Sequence, residues 1–192
     1  MSMADPNRVI VTGENPFIRL SAKDGAPNST DASFWRILFS PSGPGHVLYV
    51  KSELMQNRWR IYTDNIAMAR WLQATVQGML NAELADLSLP VADAAFSRSG
   101  DVRDAWQERL VTREEEIVCT WYRLGDPLLI HNAPNETPGR RYGVCTVLIP
   151  ALGARFARNG VEAAGQSWPR EREGRPFSTS ALAFSESWTE AR

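Results

Sequence analysis

Alternation of apolar and polar residues with a period of two dominates the chain, and it is rich in β-branched and aromatic side chains, which predicts strands. Between Ser33 and Ser40, Trp35, Ile37 and Phe39 point one way and Phe34, Arg36 and Leu38 the other. The turn chemistry of SPSGPG at 40–45 leads into His46–Ser52 as a partner strand, and ELMQN then reverses the chain into a third strand, Asn57–Thr63. In that strand Trp59 and Ile61 share one face, and Arg58, Arg60 and Tyr62 the other. Short connections of this kind favour antiparallel pairing.

The period then changes. Asp64 is placed to cap a helix in which Ile66, Ala69, Leu72, Val76, Met79 and Leu80 form one apolar stripe, widened by Met68 and Trp71. A helix from Asp64 to Leu80 is therefore expected to pack on or in a curved sheet, as the lid of a pocket or as a second layer of the core.

Strand patterns return after Pro90. Val91–Ser97 is a weak strand, and Ala105–Arg113 fits a strand or a helix. Glu115–Leu124 is the clearest strand of the chain, followed by Leu128–Asn132 and Arg141–Ile149, with Pro150 stopping or bending the last. Residues 165–177 read as a surface loop and 178–188 alternate again, with Leu182, Phe184 and Trp188 spaced for one or two faces. Residues 1–7 and 189–192 are expected to be flexible ends of a single domain spanning 1–192. Roughly nine strands and one helix predict a mainly β (α+β) fold, an antiparallel β-barrel or strongly curved sheet. A calycin or lipocalin-like barrel has such a count, although no motif of the chain supports one.

Composition narrows the functions. With a net charge of −1 and a sequence pI near 6.2, the chain lacks the positive bias through which nucleic-acid binders neutralise phosphate, so no nucleic-acid partner is expected. Only Lys23 and Lys51 among the 21 basic residues are lysines. The rest are arginines, whose planar fork suits carboxylate or phosphate, although codon bias in a GC-rich genome accounts for such an excess better than function does. The longest apolar run, about 144–154, is interrupted by Thr146, Pro150 and Gly153 and falls short of the ~20 residues of a membrane span. Cys119 and Cys145 lie in apolar runs as packed free thiols, and no export signal precedes the chain, which makes the cytoplasm the expected location.

Motifs that name a chemistry are missing. The string PGHVLYVKSE at 44–53 is similar to a cupin metal strand, but Leu48 stands where a second histidine is required. A metal site from His46, Glu53 and His131 has no support from spacing, so no metal and no other cofactor is expected. Phosphate-loop, dinucleotide and nucleophile-elbow signatures are absent.

What remains is a pocket lined by strand residues. His131, His46 and Tyr122 are the candidate catalytic residues, with a histidine as general base. Arg36, Arg58, Arg60, Tyr62, Trp121 and Arg123 are the candidate ligand-binding residues, the arginines fixing an anion. Alternating strands also allow Arg58 and Arg60 to face solvent. These residues predict a small-molecule-binding β protein. It acts either as a cofactor-independent enzyme moving protons on a small, carboxylate-bearing metabolite (isomerase, hydratase or lyase) or as a non-catalytic carrier. The alternative is an accessory subunit or homodimer docking through aromatics such as Trp168 and Trp188.

Overall fold

The computed structural model describes residues 4–172 and 174–191. Its first strands are β1 (Ala4–Glu14), β2 (Phe17–Leu20), β3 (Thr30–Phe39), β4 (Gly45–Ser52) and β5 (Arg58–Thr63). A helical segment follows, made of α1 (Ile66–Leu72), a π-turn (Gln73–Gln77) and α2 (Gly78–Leu80). Beyond it come β6 (Val91–Asp93), β7 (Ala95–Gly100), β8 (Ala105–Val111), β9 (Glu116–Leu124), β10 (Leu128–Asn132) and β11 (Gly143–Arg158). The chain ends with β12 (Val161–Glu162), β13 (Pro169–Arg172), β14 (Arg175–Ser178) and β15 (Ala181–Ala191).

The main sheet runs β6-β5-β4-β3-β1-β15-β11-β9-β8-β7, with β2, β10 and β12 beside this path. Its pairs are antiparallel except β5 with β6. The two ends of the order are consecutive in sequence and meet at Ala94. The expected closed barrel is nevertheless not formed. The strand that would close it pairs with β5 up to Asp93 and with β8 from Ala95, so it never lies between both edges. The fold is mainly β, with a large, curved, open sheet.

Curvature brings two stretches of the sheet face to face. Phe34, Leu48 and Tyr62 from β3–β5 share one core with Cys119 and Trp121 of β9 and Phe156 of β11. The opposite face of β3–β5 carries Trp35, Val47, Tyr49 and Ile61, and these pack against Met68, Leu72 and Val76 of the helical segment. Both faces of these three strands are thus buried over part of their length, and there buried residues adjoin one another, as at 34–35 and 47–50. The helix is a core layer on the outer face of the sheet. The Tyr49 hydroxyl donates to the Ala69 carbonyl at 2.6 Å and fixes its position.

Several expectations need correction. The N-cap of α1 is Asn65, whose side chain accepts from the Met68 N–H at 3.1 Å, whereas Asp64 accepts from the backbone N–H of His46. Pro150 does not stop β11. It sits where β11 exchanges β10 for β9 as its neighbour, a place where a missing N–H is tolerated. Ala105–Val111 is a strand, and part of the loop expected at 165–177 is the β13–β14 hairpin. Of the ends expected to be flexible, residues 1–3 and 192 lie outside the described residues, while Ala4 pairs with Ala191. β1 and β2 escape the sequence reading altogether.

The helical stripe gives a direct test of this layering. Leu72 is fully buried, and Leu72→Ala is expected to lower stability by about 2–5 kcal/mol in a urea titration. The same change at exposed Ile66 should have little effect.

Candidate functional site

On β15, Ser185 and Glu186 together lie opposite the single residue Thr146 of β11, between the pairs Cys145↔Ser187 and Val147↔Phe184. This one-residue bulge, with Ser185 at φ +52°, reverses the faces of the strand. Leu182 before it belongs to the core enclosed by the sheet, whereas Trp188 after it belongs to the core beneath the helix. The bulge also turns the Glu186 side chain into a cleft on the helix side.

Three further elements complete the wall. Asn15 follows β1 and is anchored by its N–H to the Ala183 carbonyl at 2.9 Å. Ser33 comes from β3. Gln77 arrives from the π-turn, a local widening of the helix that often occurs at functional sites. The neighbouring Gln73 amide donates to the carbonyls of Leu84 and Asp86 and holds the following segment in place.

These polar groups form one chain of hydrogen bonds. Trp35 Nε1 and Gln77 Nε2 both donate to Ser33 Oγ, at 3.0 and 3.1 Å. With its lone pairs occupied, the Ser33 hydroxyl donates to Asn15 Oδ1 at 2.9 Å. That orients the Asn15 amide so that its Nδ2 donates to Glu186 Oε1 at 3.4 Å, alongside Trp188 Nε1 at 2.7 Å. Among the described residues Glu186 has no ion-pair partner, and burial pushes its carboxyl up to about 7 against the pull of bonds from Trp188, Asn15 and Thr146. Near neutral pH it is therefore poised between acid and base, which suits proton transfer.

The cleft measures about 460 Å³, within the range of small-molecule sites. Trp59 and Trp188 line it, as do the exposed Arg19, Arg140 and Arg170 and the half-buried Arg172. Arg19 is 3.7 Å from Asp31 and Arg170 is 2.7 Å from Asp24. The Asp31 carboxyl is raised by burial, more than Arg19 lowers it.

The residues singled out in the sequence lie elsewhere. Arg58, Arg60 and Tyr62 are brought together in a second cleft, of about 910 Å³, beside Leu89–Asp93 and Thr112–Glu115. There the Tyr62 hydroxyl donates to Glu115 Oε1 at 2.7 Å, and Arg158 also binds Glu115. Arg36 and His46 pair across β3 and β4, but Arg36 faces Glu14 at 3.6 Å, and His46 stacks on Phe96 and contacts Asp64 at 2.7 Å. Trp121 is core, its Nε1 donating to the Phe17 carbonyl. Tyr122 packs under Arg155, Arg123 is exposed at φ +54°, and His131 is exposed on β10. None of these residues lines the Glu186 cleft. Among the described residues, no three His, Cys, Asp or Glu side chains converge as metal ligands, so His46, Glu53 and His131 are not brought together.

No family model matches the chain, and no curated protein and no solved structure matches it significantly. The chemistry of the cleft has to be judged from its own residues.

Parts of the missed site leave a trace in the sequence. Gln73 and Gln77 are amides set beside the apolar stripe of Ala69, Leu72, Val76 and Leu80, and Glu186 interrupts an aromatic strand between Phe184 and Trp188. The trace is faint because the bulge at Ser185 cannot be seen in the pattern.

Two outcomes follow from the network. Removing the Ser33 hydroxyl strips Trp35 Nε1 and Gln77 Nε2 of their acceptor, so Ser33→Ala is expected to lower stability by about 1–3 kcal/mol on chemical denaturation. The second concerns pH. Glu186 has a folded-state pKa of about 7 against an ordinary 4.5, so folding takes up a proton between those values and stability falls as the pH rises through them. Glu108, buried beside Trp106 and also pushed up to about 7, acts in the same direction. In Glu186→Gln the loss of stability from pH 4.5 to pH 7 should shrink by roughly 3 kcal/mol, read from denaturation curves across that range.

Proposed function

We propose that the chain binds a small organic molecule in the cleft beneath the helix and moves a proton on it with Glu186, in the manner of an isomerase or lyase. One observation carries this reading. A carboxyl group enclosed in the wall of a ligand-sized cleft is held by the neutral groups of Trp188, Asn15 and Thr146, with no cation among the described residues to fix it as a carboxylate. A merely structural carboxylate in such a place is ordinarily paired with a cation, because an unpaired buried charge is costly. In the ionised form Glu186 takes a proton from a carbon next to a carbonyl and leaves an enolate. In the neutral form it returns the proton to the same atom or to another one, as in an isomerase, or to a group that departs with its bonding electrons from the next carbon as the enolate collapses, as in a lyase. Asn15 and Trp188 hold the carboxyl in place through both states.

Calycin-like barrels hold their ligands inside the barrel, and here the enclosed space is occupied by the core around Phe34, Trp121 and Phe156. The proposed pocket is therefore on the other face of the sheet, between the end of the helix and β11. A reducing, cytoplasmic setting belongs to the proposal and suits the free thiols Cys119 and Cys145.

Proton transfer is detectable without knowing the physiological substrate. Small carbonyl compounds incubated with the protein in deuterium oxide should exchange the hydrogen next to the carbonyl, read by proton NMR. Glu186→Gln should slow that exchange about a hundredfold or more. Compounds that quench the fluorescence of Trp59 and Trp188 while exchanging no faster than in buffer would make the chain a carrier instead.

A further inference from the structure

The charges of the cleft are divided in space. Its lining holds four arginines, the exposed Arg19, Arg140 and Arg170 at the rim and the half-buried Arg172, against the carboxyls of Asp31 and Glu186, while Asn15, Gln77 and Glu186 are buried at the floor. Arg19 and Arg170 already have carboxylate partners, whereas the Arg140 guanidinium has no ion-pair or hydrogen-bond partner among the described residues. The floor is different. Asn15, Ser33 and Gln77 are neutral, and the proton affinity of Glu186 is set by burial and hydrogen bonds, with no charged neighbour contributing. A ligand carboxylate placed on that floor would meet another carboxyl with no cation to offset the repulsion, which is strongly unfavourable in a buried place. A carbonyl or hydroxyl oxygen suits it better. Asn15 Nδ2 spends one hydrogen on Glu186 and keeps a second, and protonated Glu186 adds an O–H donor.

We infer that the cleft takes an elongated monoanion, an oxo or hydroxy carboxylate whose charged end rests on Arg140 at the rim and whose neutral oxygen end reaches Glu186 and Asn15 at the floor. This rests on the assignment of the Glu186 cleft as the binding site and adds the substrate class and its direction. Rim and floor then have separate tasks. The guanidinium supplies affinity for the anion through a paired, planar contact. The floor positions the carbonyl next to the group that moves the proton. Molecules with a second carboxylate at the far end are rejected, because that end would have to shed its water beside Glu186.

The test uses quenching of the cleft tryptophans, Trp59 and Trp188, by short straight-chain oxo monocarboxylates, their methyl esters and dicarboxylates of matching length. The acids should bind about tenfold or more tightly than their esters, a difference of about 1.4 kcal/mol, and more tightly than the dicarboxylates. Arg140→Ala should bring the acids down to the level of the esters, leaving the esters unchanged, and Arg140→Lys should recover part of the preference. Gln77→Trp, which crowds the floor, should remove binding of acids and esters alike. Esters that bind as well as acids, or acids indifferent to Arg140→Ala, would overturn the assignment of the rim while leaving the cleft as the binding site. Quenching by none of the compounds, or quenching indifferent to Gln77→Trp, would overturn the cleft itself and this inference with it.

Discussion

Ser185 and Glu186 occupy on β15 the space that Thr146 alone occupies on β11, and this extra residue lets one strand serve two cores. Ahead of it, Leu182 points into the space enclosed by the curved sheet. Past it, Trp188 points towards the helix. Without the bulge the strict alternation of a strand would send Glu186 and Trp188 to the side of Leu182, and the cleft would lose its carboxyl and one of its tryptophans. The left-handed conformation of Ser185 has an energetic cost for a non-glycine residue, and it is held by the pairs on either side, Cys145↔Ser187 and Val147↔Phe184.

Once Glu186 faces the cleft, its neighbours are constrained in turn. Ser33 accepts two N–H groups and so has a single direction left for its own proton, towards Asn15. Asn15 must then present its amide nitrogen to Glu186. The orientation of the carboxyl is thereby tied to Trp35 in the core and to Gln77 on the helix. The helix, a packing layer over most of its length, becomes part of the cleft only at its final turns, where the π-turn redirects Gln77. Layer and pocket wall are two ends of the same element.

Much of the architecture was legible in the sequence, because burial wrote it there. β3, β4 and β5 carry the period-two signal with near-correct bounds, β10 is matched at Leu128–Asn132, and the helix follows from one apolar stripe. The rest was hidden for identifiable reasons. β1 contains Asp5, Pro6, Asn7, Thr12 and Gly13, a composition that reads as loop, and its ladder with β15 is broken by register shifts. Pro150 looks like a stop because the exchange of neighbours at that point is a tertiary matter. The arginine and histidine positions singled out on strands fall on several different surfaces, since a strand face says nothing about which neighbour covers it. The Glu186 cleft joins residues as distant as Asn15 and Glu186, 171 positions apart, and only the bulge brings its carboxyl to the others.

Near physiological pH the buried Glu186 exchanges between its neutral and ionised forms, and its carboxyl carbon reports that ionisation. Carbon-13 NMR of protein labelled at the glutamate side-chain carboxyl, with the resonance assigned by its loss in Glu186→Gln, follows the ionisation as the pH is raised. A buried carboxyl gives a midpoint near 7. A midpoint near the ordinary value of 4.5 would show an ionised, solvated carboxylate and would contradict that burial.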